Sequence, residues 1–465
     1  MFQGRKTFVL GLARSGLATA QALLAGGAQV VCWDDADSAR ARAEDAGLTV
    51  LAPERADWLS IDALIASPGI PLAFPAPHPA VALAKAAHVE VIGDVELFFR
   101  AVRALQPACK IVAVTGTNGK STTTALIGHI LSRAGYDVEV GGNIGRAALT
   151  LAPPKANRAY VLEMSSYQLD LTPSCHPDVA VLLNITPDHL DRHGGMEGYC
   201  ATKARIFSLL KKGDVAVVGT DDEPSAGLCT RLLSRNQATV CPVSAGKVLG
   251  RGVYVLSGRL YDAQGAAARE VCDLRKFANL PGAHNWQNAA AAFAATRSLV
   301  KDAQDIAAAL ATFPGLEHRM EQAGRIGRVS FVNDSKATNA DATAKAMACY
   351  SAIYWIAGGK GKDGGVQGLE RFSDRVRGAY LIGASAKDFA GQLDGHMPVQ
   401  MCGDLETAMR AALRDAAAGN ADDPVVLLSP AAASFDQFRD FEHRGAEFKR
   451  VAALLAEEAR LKGAA

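Results

Sequence analysis

The strand-like run from Lys110 to Val114 leads straight into Thr115-Gly-Thr-Asn-Gly-Lys-Ser-Thr122 and then into a helical stretch reaching Arg133, with Gly135 placed to end it. A strand, a glycine-bearing turn and a helix in immediate succession specify a layer of parallel sheet and covering helices. The residue types in the turn add chemistry. Backbone N–H groups at a helix start, a lysine and a hydroxyl together suit a polyphosphate carrying Mg²⁺. The loop is shortened, because the longer G-x-x-x-x-G-K-[ST] pattern would need glycine where Val114 stands. A turn that only capped a helix would have no use for Lys120 followed by Ser121 and Thr122. We therefore assign Lys120 to the β- and γ-phosphates and Ser121 to the metal, with Gly116, Thr117, Asn118, Gly119 and Thr122 completing the cradle.

The remainder of the chain repeats the same layer logic. Strands are expected at Thr7 to Leu10, Val30 to Trp33 and Ala63 to Ala66, with helical stretches between them, as in βαβ units. The turn Gly11 to Gly16 resembles a dinucleotide-binding turn, but Ala13 replaces the middle glycine, so a plain glycine-closed turn fits equally well. The pattern restarts near Gln106-Pro107, with strands at Ala159 to Glu163, Val179 to Asn184 and Val215 to Val218 and an Ala-rich helix from Asn285 to Ser298. It restarts again near Phe313-Pro-Gly315, with strands at Val329 to Asn333, Ile353 to Ala357, Ala379 to Ile382 and Val425 to Ser429. The alanine runs read as helix-forming surface. This gives a three-domain α/β protein, with boundaries at 1–107, 108–312 and 313–465, for a chain of 465 residues.

Charge narrows the partners. Lys and Arg total 49 against 48 Asp and Glu, a net charge of +1, too little basic excess for a general nucleic-acid surface. No run of 18 apolar residues and no basic-then-apolar leader occurs, so neither a membrane nor export is expected and the cytoplasm is. The nine scattered cysteines form no C-x-x-C pair and read as reduced packing residues.

Two further stretches carry chemistry. Glu163-Met-Ser-Ser-Tyr-Gln-Leu-Asp170 ends a strand, where a carboxylate could reach a metal beside a phosphate loop. Asn184-Ile-Thr-Pro-Asp-His-Leu-Asp-Arg-His193 places two histidines and two aspartates within six residues, which either a metal site or a polar loop would produce. An oxygen-rich set with one imidazole suits Mg²⁺ or Mn²⁺ better than Zn²⁺.

In chain order, these stretches together with Tyr199-x-x-x-Lys203, His284-Asn285-x-x-Asn288, Gly315-x-x-His-Arg319 and Asn333-Asp-Ser-Lys-Ala-Thr338 resemble the Mur ligases and their folylpolyglutamate synthetase relatives over the whole chain. Glu163-Met-Ser-Ser-Tyr-Gln-Leu, Asn333 to Asn339, Ser429-Pro-Ala-Ala-Ala-Ser-Phe-Asp-Gln-Phe438 and Phe441-x-x-Arg-Gly445 look most like the members that join D-glutamate to UDP-N-acetylmuramoyl-L-alanine. The Asp-Asn-Pro-Arg motif of the diaminopimelate-adding members is absent. A folate-type glutamate ligase is the nearer alternative; an NAD(P) oxidoreductase built on the Gly11 turn and a non-catalytic nucleotide-binding regulator are more distant ones.

The resemblance implies ATP-driven ligation through an acyl phosphate, with a Rossmann-like UDP-binding domain, a central ATPase domain, and a Rossmann-like C-terminal domain that delivers glutamate and closes about a hinge near Phe313 to Arg319. It implies two Mg²⁺ sites, Mn²⁺ being an alternative: Ser121 and Glu163 for one, and Glu163, His189 and Lys203 for the other, with Lys203 converted by CO₂ into a carbamate. Ser15, Asp34, Ser67, Gly69 and Asn143 would hold the UDP substrate. Asn285 and Asn288 would meet adenine, Arg319 and Asp334 phosphate and ribose, and Lys336 phosphate. Thr338, Lys362 (or Lys360), Ser434 and Phe441 would hold glutamate, and the enzyme would act as a monomer with small-molecule partners only.

Overall fold

A computed structural model describes residues 2–277, 279–361 and 364–463. Lys362 lies outside the described residues. Among those residues the strands form three sheets. The first has the order β3-β2-β1-β4-β5 and is parallel throughout: β1 (Lys6–Leu10), β2 (Gln29–Trp33), β3 (Thr49–Val50), β4 (Ala63–Ala66) and β5 (Glu90–Ile92).

The second sheet has the order β14-β13-β12-β11-β10-β9-β6-β8-β7. It contains β6 (Lys110–Thr115), β7 (Asp137–Gly142), β8 (Arg158–Glu163), β9 (Val179–Leu182), β10 (Val215–Gly219), β11 (Thr239–Ser244), β12 (Val253–Leu256), β13 (Arg259–Asp262) and β14 (Arg269–Asp273). The β12–β13 and β13–β14 pairings are antiparallel, an extension that the βαβ rhythm did not predict.

The third sheet has the order β15-β16-β20-β17-β18-β19: β15 (Glu321–Ile326), β16 (Val329–Asn333), β17 (Ile353–Gly358), β18 (Val376–Ile382), β19 (Val399–Gly403) and β20 (Val425–Leu428). Only its first pair is antiparallel. The chain forms two compact units, one gathering the residues up to Phe277 with Ala283–Phe313, the other running from Pro314 onward with the short 279–282 stretch.

In the second sheet the chain lays β7 and β8 on one side of β6 and β9 on the other. In an open parallel sheet that reversal leaves a crevice at the carboxyl ends of the strands, where ligands bind. The 116–119 loop occupies that end of β6. Its neighbours are set by register: Val114 pairs with Glu163, Thr115 with Leu182, and Gly142 with Glu163.

The alanine run behaves differently from expectation. Helix Ala283–Thr296 is not surface: Ala289, Ala290, Ala292 and Ala295 are fully buried against the phosphate-loop helix Lys120–Arg133 and strands β10 to β12. Methyl side chains let two helix backbones approach closely, and burying them removes apolar area from water with little loss of side-chain entropy. Six of the nine free cysteines are buried, and Cys200, Cys272 and Cys349 are half-buried. No described helix is long and apolar enough to cross a membrane.

Candidate active site

The phosphate loop is shaped by glycine at both ends. Gly119 precedes the helix in the left-handed region at φ +84°, and a Cβ there would stand 2.2 Å from Asn288 Oδ1. Gly116, at φ +152°, lets the loop pass Leu183, whose Cβ would be 3.0 Å from an added one. Polar contacts then lock the loop to the one after β9. Thr117 N donates to Asn184 O at 2.9 Å, and Asn118 N to Asn184 Oδ1 at 2.9 Å. Thr117 Oγ1 accepts from Thr186 N at 3.0 Å and lies 3.1 Å from the Tyr199 hydroxyl. Lys120 Nζ folds back over the loop, donating to Gly116 O at 3.0 Å and Thr117 O at 2.9 Å. Ser121 and Thr122 are buried in the first helical turn.

Asn285 and Asn288 are buried rather than exposed. They lie one turn apart, Asn288 Nδ2 donating to Asn285 Oδ1 at 3.3 Å, while Asn288 Oδ1 accepts from Thr123 Oγ1 at 3.3 Å. The helix that carries them is thereby tied to the phosphate-loop helix.

Glu163, at the end of β8, is 2% exposed. Its Oε1 accepts from Asn143 Nδ2 at 2.7 Å, and its buried Oε2 has no hydrogen-bond partner among the described residues. An ionised oxygen left in that state costs several kcal/mol unless a cation meets it. Lys203 is equally buried, at 1% exposure, with Nζ donating to Gly116 O at 2.8 Å and lying 4.8 Å from the Tyr199 ring centroid. Burial first, and the charge of Lys120 second, pull its amine down to about 7. Lys120, Ser121 and Lys203 thus border one loop, and Glu163, held by Asn143, ends the strand paired with the one that carries it.

His189 stands apart. Its side chain is 47% exposed, 3.5 Å from Asp188, on a left-handed residue (φ 51°) that starts the short helix Leu190–His193. The buried histidine of this stretch is His193, bonded to Ser166 Oγ at 3.0 Å. Among the described residues no three His, Cys, Asp or Glu side chains gather at metal-binding range.

In the first sheet, Asp34 closes the Gly11 turn: Oδ2 accepts from Leu12 N at 2.6 Å and Oδ1 from Ala36 N at 2.9 Å. Ser67 Oγ donates to Gly11 O at 2.9 Å, so the turns after β1 and β4 are joined, and Ser15 lies beside them in the first turn of helix Arg14–Ala25. Gly69 O accepts from Arg192 Nη2 at 3.0 Å, linking this turn to the central sheet's loops.

The second unit organises its own cluster at the carboxyl ends of β16, β17 and β20. Asp334 is deeply buried, accepting from Ser429 Oγ at 2.9 Å and Met320 N at 3.2 Å, and burial raises its carboxyl to about 7 against the opposing pull of those bonds and of Arg319. Arg319 Nε is itself buried with no partner among the described residues. Lys336 Nζ lies 5.0 Å from the Phe441 ring centroid. Ser434 is buried and Thr338 sits between Lys336 and the next helix; Lys360 is bridged to Ala433 through its backbone. Arg444, quoted in the Phe441-x-x-Arg-Gly445 motif without an assigned role, is the organiser here. Fully buried, it donates to Ser335 Oγ (3.0 Å), Ser335 O (2.9 Å), Ala432 O (3.1 Å) and Gly358 O (3.4 Å).

Residues 114–296 match the Mur ligase middle domain. The chain is 54% identical over 450 residues to a UDP-N-acetylmuramoylalanine–D-glutamate ligase of Caulobacter sp. strain K31, covering 96% of each chain. It is 53% identical to the ligase of the same name from Phenylobacterium zucineum, over 98% of this chain and 97% of that one. The chain belongs to the Mur ligase family. Its fold is also that of the UDP-N-acetylmuramate-alanine ligase from Thermotoga maritima, with a TM-score of 0.56 at 16% identity over 98% of this chain and 99% of that chain.

Seen as a Mur ligase, the chain has two sets of residues that stand in the quoted motifs but received no role from them. Asn184, Thr186 and Tyr199 fasten the phosphate loop, and Arg444 with Ser335 fastens the second unit's loops. Asn184 had a detectable signal: it is a polar residue directly after a buried strand, level with the glycine loop. Arg444 sits at the start of helix Phe441–Gly463, where a charge in a helix offers no cue to its burial.

Proposed function

We propose that this Mur ligase joins D-glutamate to UDP-N-acetylmuramoyl-L-alanine with conversion of ATP to ADP and phosphate, a step of peptidoglycan precursor synthesis in the cytoplasm. The observation that carries this reading is the near-full-length likeness to D-glutamate ligases at 54% identity. In the reaction, an oxygen of the alanyl carboxylate attacks the γ-phosphorus and ADP leaves. The amine of glutamate then attacks the acyl carbon, and the tetrahedral adduct expels phosphate and loses a proton.

The residues divide this work. The amides of Gly116 to Ser121 and Lys120 Nζ hold the β- and γ-phosphates and offset charge that builds on the transferring group. The orphaned Glu163 Oε2 suits a cation, so Glu163 and Ser121 would hold one Mg²⁺, and Glu163, His189 and Lys203 a second. Mg²⁺ there supplies Lewis-acid stabilisation of phosphate charge. A protonated lysine cannot serve as a ligand, but a buried amine lowered to about 7 has a neutral fraction that can add to CO₂, releasing a proton and leaving a carbamate.

Ser15, Asp34, Ser67, Gly69 and Asn143 are assigned to the UDP substrate, and Asn285 and Asn288 to adenine. Arg319, Asp334 and Lys336 are assigned to ribose and phosphate; Thr338, Ser434, Phe441 and Lys362, or its neighbour Lys360, to glutamate. The three substrates would map onto domains at 1–107, 108–312 and 313–465 of a monomer. Phosphate release from ATP tests the reading: it should require UDP-N-acetylmuramoyl-L-alanine and glutamate together, and release at the same rate without the UDP substrate would overturn it.

A further inference from the structure

His189 and Lys203, the side chains assigned above to the second metal, stand at the two ends of one series of ring contacts. Lys203 Nζ lies 4.8 Å from the Tyr199 ring centroid. The Tyr199 ring meets His193 at 5.5 Å, His193 meets Tyr167 at 5.5 Å with the two planes 15° apart, and Tyr167 meets His189 at 5.0 Å. Among the described residues, Tyr167 is the only ring in contact with His189.

His193 occupies the centre of this series and has no part in the chemistry described above. Its side chain is 2% exposed. Nε2 lies 3.0 Å from Ser166 Oγ and Nδ1 3.4 Å from Thr202 Oγ1. Ser166 precedes Tyr167 in helix Ser166–Asp170, and Thr202 precedes Lys203 in helix Met196–Ala204, which also carries Tyr199. One imidazole therefore braces the two helices that supply the aromatic supports of both ligands. Its main chain belongs to the single turn Leu190–His193 that follows His189, and Gly198 leaves no room for a side chain against His193 O, so that turn sits directly on helix Met196–Ala204. A half-exposed ligand such as His189 loses rotamer freedom when it takes a metal, and a ring contact that restricts it beforehand lessens that cost. The spacing between the two tyrosines is set by a flat ring in offset stacking, which an open-chain amide of similar polarity cannot reproduce.

We propose that His193 is a positioning residue for the second metal site: its ring, stacked on Tyr167 and tilted against Tyr199, sets where His189 and Lys203 are held relative to each other. This rests on the reading that those two side chains hold the second Mg²⁺. The ring positions and the two hydrogen bonds hold the ring, so substitution separates the two contributions. His193→Gln keeps polar atoms for Ser166 and Thr202 and removes the ring. His193→Phe keeps a ring and removes the bonds. Tyr167→Leu removes the surface on which His189 rests and leaves the imidazole in place.

Mn²⁺ binding, followed by the electron paramagnetic resonance of the free ion, tests this on the full chain with bicarbonate, a non-hydrolysable ATP analogue and UDP-N-acetylmuramoyl-L-alanine, so that no turnover enters. Wild type should bind two ions and His189→Gln one. In His193→Gln and Tyr167→Leu one ion should bind about tenfold or more weakly, the scale on which groups that orient a metal-binding histidine act, with the other ion unchanged. In His193→Phe both ions should stay within threefold of wild type although its Tm falls; a merely structural role would make affinity follow Tm. Wild-type binding of both ions by a folded His193→Gln or Tyr167→Leu overturns the proposal, and either variant is sufficient. A folded His193→Phe that loses the ion as His193→Gln does overturns the role of the ring. Wild-type binding of both ions by His189→Gln overturns instead the reading of the second metal site.

Discussion

Lys203 Nζ and Lys120 Nζ donate to the same oxygen, the carbonyl of Gly116, at 2.8 and 3.0 Å. Two amines converging on one acceptor repel each other, which is why the charge of Lys120 adds to burial in lowering Lys203. The arrangement favours a Lys203 that has given up its charge, as a carbamate does. Lys203→Ala should therefore lose ligase activity by at least a hundredfold and recover part of it in buffers containing formate or acetate. Steady-state rates with and without the added carboxylate check this; equal rates in both buffers would count against a carboxylate-like role.

Gly119→Ala is expected to disable the phosphate loop. The left-handed φ of +84° costs an alanine about 1–2 kcal/mol, and its methyl would displace Asn288 Oδ1, 2.2 Å away. ATP affinity should fall at least tenfold with a lower Tm, measured by titration and thermal unfolding.

Much of this first-unit site is legible in the sequence because its parts are local. A strand, two glycines, a lysine and a hydroxyl occupy neighbouring positions, and the loop they predict is the loop observed. Burial of Asn285 and Asn288 is not legible, since an Ala-rich helix looks the same whether it faces water or a second helix at close range. Nor does spacing distinguish His189 from His193. The left-handed residues His189 and Gly194 bracket a single helical turn and decide which ring points inward. The antiparallel β12 to β14 extension escaped for a related reason, being an addition to a pattern whose period was already assigned.

Arg444→Met should damage the second unit selectively. It leaves the carbonyls of Ser335 and Ala432 without their buried donor, at about 1–3 kcal/mol for each unsatisfied group, while the Ser335 hydroxyl keeps its bond to Phe441 O. We expect residues 314 onward to open at a lower denaturant concentration while the first unit, residues up to 277 with 283–313, keeps its own midpoint. Segment-resolved hydrogen exchange on one sample would show both.

Asp334 sets a pH dependence. Its folded value of about 7 lies above its ordinary 3.8, so the folded state holds the proton more tightly. The associated stability is full below about pH 4 and is lost as pH rises through about 7. At 1.4 kcal/mol for each tenfold, the loss is on the order of 4 kcal/mol. Asp334→Asn should flatten this part of the profile, read as Tm of the second unit between pH 4 and 8.

The most direct test of the account is amino-acid choice in the complete reaction. With ATP and UDP-N-acetylmuramoyl-L-alanine supplied, the purified chain should release phosphate and form the UDP-linked dipeptide product with D-glutamate, at least a hundredfold faster than with L-glutamate or diaminopimelate. No product with D-glutamate, or a faster reaction with either of the other two, would contradict it.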